Sequence, residues 1–322
     1  MVKKSSLSKI NDLIFREVIK RGYSLEGKTR VWNIADSKLW YLTSEQAQSY
    51  LDLLDSEDYK TEFGPKEMIL IKKELNEILS RVGPNSLNLI DLGCGDGRKA
   101  VVFLDEILKR KIAVRYCPID ISGYMVQKAI EKMSHLNVHE IITSQWNISD
   151  FENLYNIVPL LNQGVFKKNL FLLLGNTLGN FEINELLYSV RNAMKSGDFL
   201  LIGNGLDNAK VEEDVVKFCK ENKLNNEFLI KIPLQIGLSR EDIRLDVRFV
   251  NSRVEFYYIL EDDKTVEFQG RKISFFKGDQ IIVAVAYHYK KEEFMSFLKM
   301  YFGDVELFVS KDGSYTLALC KK

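Results

Sequence analysis

The sequence is poor in the residues that build metal centres, with 4 cysteines and 3 histidines among 322 residues. Cys94, Cys117, Cys219 and Cys320 stand far apart, and no two form a Cys-x-x-Cys pair. That spacing excludes a zinc ribbon and a disulfide framework, and it fits a reducing cytoplasm. His135 and His139 are four apart but lack the glutamate of a metalloprotease helix, so they read as surface residues and no metal is expected. Neither sign of charge is in excess: Lys plus Arg is 45 and Asp plus Glu is 45. A broad phosphate-binding surface would show as a basic surplus, so nucleic acid is disfavoured as a partner. The longest apolar runs, such as Leu170–Leu174 and Ile281–Ala286, fall far short of a membrane span. The first residues, Met1-Val2-Lys3-Lys4-Ser5-Ser6, carry charge with no apolar stretch behind it, which does not read as a signal peptide.

What is present is ordinary globular material, 46% hydrophobic and 28% charged. The length predicts about two domains of roughly 150 residues each. Residues 1–60 read as helical pieces and aromatic turns. Leu7, Ile10, Leu13, Ile14 and Val18 recur at helical spacing, and a second helix begins near Ser44. From Gly64 onward short apolar runs alternate with amphipathic stretches. Strands are expected at Leu87–Leu92, Ile112–Ile119, Val138–Thr143, Leu170–Leu174 and Phe199–Ile202. Helices are expected at Ala100–Arg110, Gly123–Met133 and Asn184–Met194. That alternation predicts right-handed βαβ units and a parallel sheet with helices on both faces.

After Gly205 the rhythm breaks. A helix around Val211–Cys219 precedes closely spaced strand-like runs at Ile243–Val250, Val254–Leu260, Thr265–Phe268 and Gln280–Tyr289. A helix at Glu292–Met300 and a hairpin of Val305–Val309 with Tyr315–Leu319 return to the parallel sheet. The expected fold is α/β: a Rossmann-like domain of residues 61–204 and 286–322. Beside it stands an α+β domain of residues 1–60 and 205–285.

The strongest local motif is Asp91-Leu92-Gly93-Cys94-Gly95-Asp96-Gly97, after a strand and before a helix. Glycines let the backbone approach a ligand, and the helix N-terminus offers free N–H donors. The dinucleotide fingerprint needs glycine at 98, where Arg98 stands. Asp120 ends the next strand, where a carboxylate suits the two hydroxyls of a ribose. Asp120 and Ser122 equally suit the capping of the helix that follows.

The Asp-Leu-Gly-x-Gly-x-Gly run resembles the first motif of class I S-adenosylmethionine-dependent methyltransferases. The resemblance implies that the loop packs on the methionine part of the cofactor and that Asp120 binds its ribose. It also implies an acid or amide followed by an aromatic beside the adenine. Asp150-Phe151 and Trp146-Asn147 compete for that place, with Asp150-Phe151 preferred. Leu174-Gly175-Asn176-Thr177-Leu178-Gly179-Asn180-Phe181 narrows the likeness, together with Gly97-Arg98-Lys99, Tyr116-Cys117-Pro118-Ile119-Asp120-Ile121-Ser122 and Gly197-Asp198-Phe199-Leu200-Leu201-Ile202-Gly203. Over residues 60–322 the chain resembles the histidine-specific Nα-methyltransferases of the ergothioneine pathway. That likeness implies S-adenosylmethionine as cofactor, held by Asp91, Gly93, Gly95, Gly97, Lys99, Asp120, Ser122, Asp150, Phe151, Gly175 and Asn176. It implies a substrate domain built from the N-terminal region and the insert. It also implies that Asn180 meets the amino-acid head of the substrate, where an amide suits an amine beside a carboxylate.

Two alternatives stay open at this level: Asn180 also suits the capping of the helix near Glu182, and Tyr59, near the family's substrate tyrosine, also suits a core or surface place. The likeness fails at one stretch. Where the histidine enzymes carry Glu-x-Ser before Tyr-Lys, this chain reads Ala284-Val285-Ala286-Tyr287-His288-Tyr289. The family's later substrate tyrosine falls near Lys217 or Phe218. An unpaired buried imidazole would cost about 1–3 kcal/mol per group. The expected activity is therefore N-methylation of an amino acid or small amine other than histidine. Rival expectations are a methyltransferase of protein or RNA, and a non-catalytic cofactor-binding relative. A monomer is expected. The aromatics Phe15, Tyr23, Trp32, Trp40, Tyr41 and Tyr50 fit either ordinary core or a pocket for a methylated ammonium.

Overall fold

The computed structural model describes residues 10–322, apart from 63, 162 and 163. Leu7 and the other residues before Ile10 lie outside that range. The chain divides into two compact units, one of residues 1–53 and 209–286, the other of residues 54–208 and 287–322.

The first unit opens with helix α1 (Asp12–Arg21), capped by Asn11, whose side-chain oxygen accepts from Leu13 and Ile14 N–H. Strands β1 (Ser24–Glu26) and β2 (Thr29–Asn33) form a hairpin. The sequence shows no period here, because these strands are short and β2 finds its second partner some 250 residues later. Helix α2 (Ser44–Asp55) completes the N-terminal part.

The second unit begins with α3 (Glu57–Glu62) and α4 (Gly64–Val82). Then come β3 (Leu87–Leu92), α5 (Ala100–Lys109), β4 (Val114–Ile119), α6 (Gly123–Met133), β5 (Glu140–Ile141), α7 (Leu154–Leu161), β6 (Lys168–Leu173), α8 (Ile183–Ala193) and β7 (Phe199–Gly205). β5 is a two-residue edge strand instead of the run of six expected, and it pairs only with β4. Just before it, exposed His139 accepts the Val114 N–H at 3.4 Å through Nδ1.

Back in the first unit, Val211–Val216 forms a π-helical turn, followed by α9 (Lys217–Glu221), α10 (Lys223–Leu229) and α11 (Lys231–Ile236). The strands are β8 (Ile243–Val250), β9 (Arg253–Leu260), β10 (Lys264–Phe268), β11 (Arg271–Phe275) and β12 (Gln280–Tyr287). Their sheet runs β1-β2-β12-β9-β8, with β10-β11 a separate hairpin. Of the N-terminal aromatics, Phe15, Trp32 and Trp40 are core, Tyr41 and Tyr50 are partly buried and Tyr23 is exposed. Trp40 donates to the Val283 carbonyl at 2.9 Å and Trp32 to Asp279 Oδ2 at 3.1 Å, and both rings are buried.

Helix α12 (Lys291–Tyr301), β13 (Asp304–Val309) and β14 (Tyr315–Lys321) finish the second unit. Its seven-stranded sheet runs β13-β14-β7-β6-β3-β4-β5. β3 to β7 are parallel, while β14 runs antiparallel to β7. Strands β3 and β7 are buried at every residue, as a sheet covered on both faces requires. One face packs Ile71, Ile78, Phe103 and Ile107 against Leu87, Leu89 and Leu170. The other packs Ile157, Leu187, Val190 and Phe294 against Ile90, Phe171 and Leu200. The strand order reverses between β3 and β6, and ligands of such sheets sit at the carboxyl ends beside that reversal.

Candidate active site

The glycine loop turns at the carboxyl end of β3. Gly93 and Cys94 donate their N–H groups to the Ile119 carbonyl, at 2.8 and 3.2 Å, which pins the loop to the end of β4. Gly95 has φ +51°, and a side chain there would meet no atom within 4 Å, so the loop is open on that side. Gly97 has a different task. A methyl group on it would press on Met133 at 2.8 Å and on the Ala129 backbone at 3.2 Å, so its bare face lets α5 begin against α6.

Two carboxylates brace the loop. Asp120 accepts the Gly95 N–H at 3.1 Å through Oδ2 and the Ser122 N–H at 2.9 Å through Oδ1. Burial raises its pKa to about 6 despite those donors. Asp91 is deeper. Its Oδ2 accepts the hydroxyl of fully buried Tyr116 at 2.8 Å, and burial raises its pKa to about 7. Ser122 is the N-cap of α6, its hydroxyl accepting the Met125 N–H at 3.5 Å, so the capping function is realised. Asp96 behaves oppositely. Burial alone would raise it, but Arg98 and Lys132, at 2.9 and 2.7 Å, hold it at about 2.

The two adenine candidates differ in what their side chains already do. Asn147 is fully buried; its amide donates to the Pro118 carbonyl at 2.5 Å and the Ile142 carbonyl at 3.2 Å, and its oxygen accepts the Ser144 N–H at 3.1 Å. Both of its amide hydrogens are thus committed within the protein, and the side chain is out of a ligand's reach. The side chain of Trp146 lies outside the described residues. Asp150 is partly exposed, and the Phe151 ring reaches to within 3.8 Å of where a methyl group on Gly93 would stand.

The second turn, after β6, lies against the first. A methyl group on Gly93 would meet Thr177 Cγ2 at 3.1 Å, and Phe151 packs on Phe181 with ring centres 5.4 Å apart. This turn is held from several sides. Gly175 donates its N–H to Glu67 at 2.7 Å, and Asn176 donates its own to the Gly203 carbonyl at 3.2 Å. Asn176 takes the left-handed backbone, φ +60°, and its side-chain oxygen accepts the Gly205 N–H at 2.8 Å. Asn180 does not cap the next helix. Glu182 is the N-cap of α8, accepting the Glu185 N–H at 3.0 Å. The Asn180 side chain is half-buried and makes no hydrogen bond among the described residues.

Lys99 is paired with Glu67 at 2.7 Å. Tyr59, on α3, is partly exposed, and its phenol acts electrostatically on Tyr315. The structure thus gathers Asp91, Gly93, Gly95, Asp120, Phe151, Gly175, Asn176 and Asn180 around the ends of β3, β4, β6 and β7. Glu67, Tyr116, Thr177 and His288 belong to the same corner, although the sequence alone assigns none of them a role in the site. Glu67 reads in sequence as an acid in a helix's first turn, Tyr116 as one more strand aromatic. In the first unit, Ala284 is buried and Ala286 packs against Val211, Val247 and Val254. No cluster of three metal-ligating side chains occurs among the described residues, and no helix there is long and apolar enough to cross a membrane.

A ligand with a ribose fits this corner chemically: a buried carboxylate, an open glycine turn and an aromatic ring converge on it. Residues 50–322 match the model of a family described as histidine-specific methyltransferase, S-adenosylmethionine-dependent. Over 107 residues the chain is 26% identical to ergothioneine biosynthesis protein 1 of Schizosaccharomyces pombe. That stretch is 33% of this chain and 14% of the yeast protein. Among solved structures, a Pyrococcus horikoshii protein aligns with TM-score 0.45 and 14% identity, over 86% of this chain and 98% of its own. An S-adenosylmethionine-dependent methyltransferase from Clostridium acetobutylicum aligns with TM-score 0.45 and 14% identity, over 85% and 98%.

Proposed function

Because the chain belongs to the family of histidine-specific, S-adenosylmethionine-dependent methyltransferases, we propose that it methylates the amino group of an amino acid or related small amine other than free histidine. The bound cofactor supplies an electrophilic methyl group on a sulfonium. The chain's own residues hold and aim the reactants. Asp120 accepts the ribose hydroxyls, the Gly93–Gly97 turn admits the methionine part, and Asp150 with Phe151 holds the adenine. That Asn147 is consumed internally supports this choice. Lys99, Gly175 and Asn176 frame the same side. Asn180 and Tyr59, both in the unit of residues 54–208 and 287–322, orient the acceptor amine. Positioning of this kind is the main contribution a protein makes to such a displacement.

The observation that carries the proposal is the Asn180 amide, which makes no hydrogen bond among the described residues, on a turn that abuts the glycine loop. A half-buried amide of this kind keeps both donors and its acceptor available to a ligand. The unit of residues 1–53 and 209–286 is read as the one that selects the acceptor's side chain. Its Ala286 packs on Val211, Val247 and Val254, which suits an apolar side chain and leaves an imidazole without partners.

The test is incubation of the pure protein with methyl-labelled S-adenosylmethionine and an acid-soluble cell extract, followed by mass spectrometry of labelled amines. Label is expected on the α-amino group of an amino acid with an apolar side chain. Label on free histidine would overturn the side-chain assignment. Label only on protein or RNA added in parallel would overturn the small-molecule proposal.

A further inference from the structure

We infer that Glu67 is a positioning residue that clamps the turn carrying Asn180 to the helix that follows the glycine loop. Glu67 lies in the first turns of α4 and is 6% exposed. One carboxylate oxygen accepts the Gly175 N–H at 2.7 Å, and the other pairs with Lys99 Nζ at 2.7 Å. Gly175 opens the Asn180 turn. Lys99 stands two residues beyond Gly97, at the start of α5. One side chain therefore joins the cofactor loop to the acceptor turn.

The surroundings are shaped to admit that carboxylate. A methyl group on Gly203 of β7 would collide with Glu67 Oε1 and come within 2.8 Å of the Tyr315 hydroxyl. A methyl group on Gly175 would collide with Lys99 Nζ. Two glycines thus leave room where ordinary strand and loop residues would fill it. Such a pair is a poor device for stability alone, since well-packed apolar residues do as well or better than a buried ion pair. What it provides is a fixed geometry. The turn has left-handed backbone at Gly175, φ +78°, and at Asn176, φ +60°. Left-handed backbone at a residue other than glycine persists only where the surroundings impose it. Glu67 supplies one such restraint, and the Asn176 links to Gly203 and Gly205 supply the others.

The inference rests on the assignment of Asn180 as the acceptor residue, and the two fail separately. The clamp is read by amide hydrogen exchange, which needs no acceptor. In Glu67→Ala, exchange over residues 174–181 should speed by about 10-fold or more, the loss of a charge-assisted hydrogen bond, while β3 and α8 keep their protection. In Glu67→Gln the side-chain oxygen still accepts from Gly175, so exchange should stay within about 3-fold of the parent. Lys99→Met, which cuts the link to α5 but leaves the Gly175 bond, should speed the turn amides by less than Glu67→Ala does, and should weaken S-adenosylhomocysteine in calorimetric titration. Should the alanine variant not fold, the glutamine and Lys99 variants still decide. Unchanged exchange in Glu67→Ala, or faster exchange spread evenly over the sheet, overturns the clamp, as does full opening of the turn in Glu67→Gln. With the acceptor identified by labelling, Glu67→Ala should raise its KM and lower kcat, and should also weaken S-adenosylhomocysteine, since the same turn and Lys99 frame the cofactor.

Discussion

The Asp120 carboxylate receives the Gly95 N–H at 3.1 Å, so the acid at the end of one strand fixes the most open residue of the neighbouring glycine loop. The same group is drawn up to about 6 by burial. On the proposed assignment, ribose hydroxyls donating to the charged form would pull that value down in the complex. Binding therefore releases a proton below pH 6. Titration of S-adenosylhomocysteine should give a flat affinity above pH 7 and a dissociation constant that rises up to about tenfold per unit below pH 6. Asp120→Asn should weaken binding by about 10- to 100-fold and remove that slope. A slope that persists in the variant would assign the proton to another group.

Asp91 gives a stability effect of known sign. Its folded value is about 7, against about 3.8 when exposed. The folded state then holds the extra proton, so this group's contribution is complete below pH 4 and is lost as pH rises towards 7. Asp91→Asn does not titrate and keeps an acceptor for the Tyr116 hydroxyl. Denaturant unfolding should show the variant gaining on the parent between pH 5 and pH 8, by about 2–4 kcal/mol. Equal pH slopes for the two proteins would contradict the assignment.

Some of this corner is legible in the amino-acid sequence alone. Gly93, Gly95 and Gly97 announce a turn because turn chemistry is local, and the apolar runs of β3 and β7 announce burial on both faces. Gly97 is legible as a glycine but not as packing, since Met133 and Ala129 lie more than thirty residues on. β2 escapes notice because its pairing with β12 is remote in sequence. Glu67 escapes for the same reason: its partners Gly175 and Lys99 come from other elements. Asn180 offers two meanings of equal local merit, and only the side chain of Glu182, already capping α8, separates them.

Gly205 and His288 illustrate such a hidden pair and allow a third prediction. A methyl group on Gly205 would approach His288 Cε1 at 2.6 Å and Nδ1 at 2.8 Å. The imidazole is almost wholly buried, and that burial holds it neutral, with a pKa of about 4. It has little room to withdraw. Gly205→Ala should destabilise the protein by about 1–3 kcal/mol through overpacking. Combined with His288→Ala, the loss should be smaller than the sum of the two single losses, since the alanine methyl would enter the vacated space. Additive losses in chemical unfolding would show that the clash is relieved elsewhere.

Asn180 separates catalysis from folding. Its side chain has no hydrogen bond among the described residues, and the helix after it begins at Glu182. Removing the amide therefore leaves no orphaned protein group. Asn180→Ala should melt within about 0.5 kcal/mol of the parent, as an uncommitted side chain would. S-adenosylhomocysteine should bind it normally, because Asp120 and the glycine loop are untouched. Turnover of the labelled acceptor should fall about 10- to 1000-fold, the cost of one or two lost orienting hydrogen bonds. Asn180→Asp tests the donor half alone. It keeps an acceptor for the amine and repels the substrate carboxylate, so the acceptor's KM should rise more than in the alanine variant. If instead Asn180→Ala lowers the melting point and spares turnover, the residue is structural and the acceptor is held elsewhere.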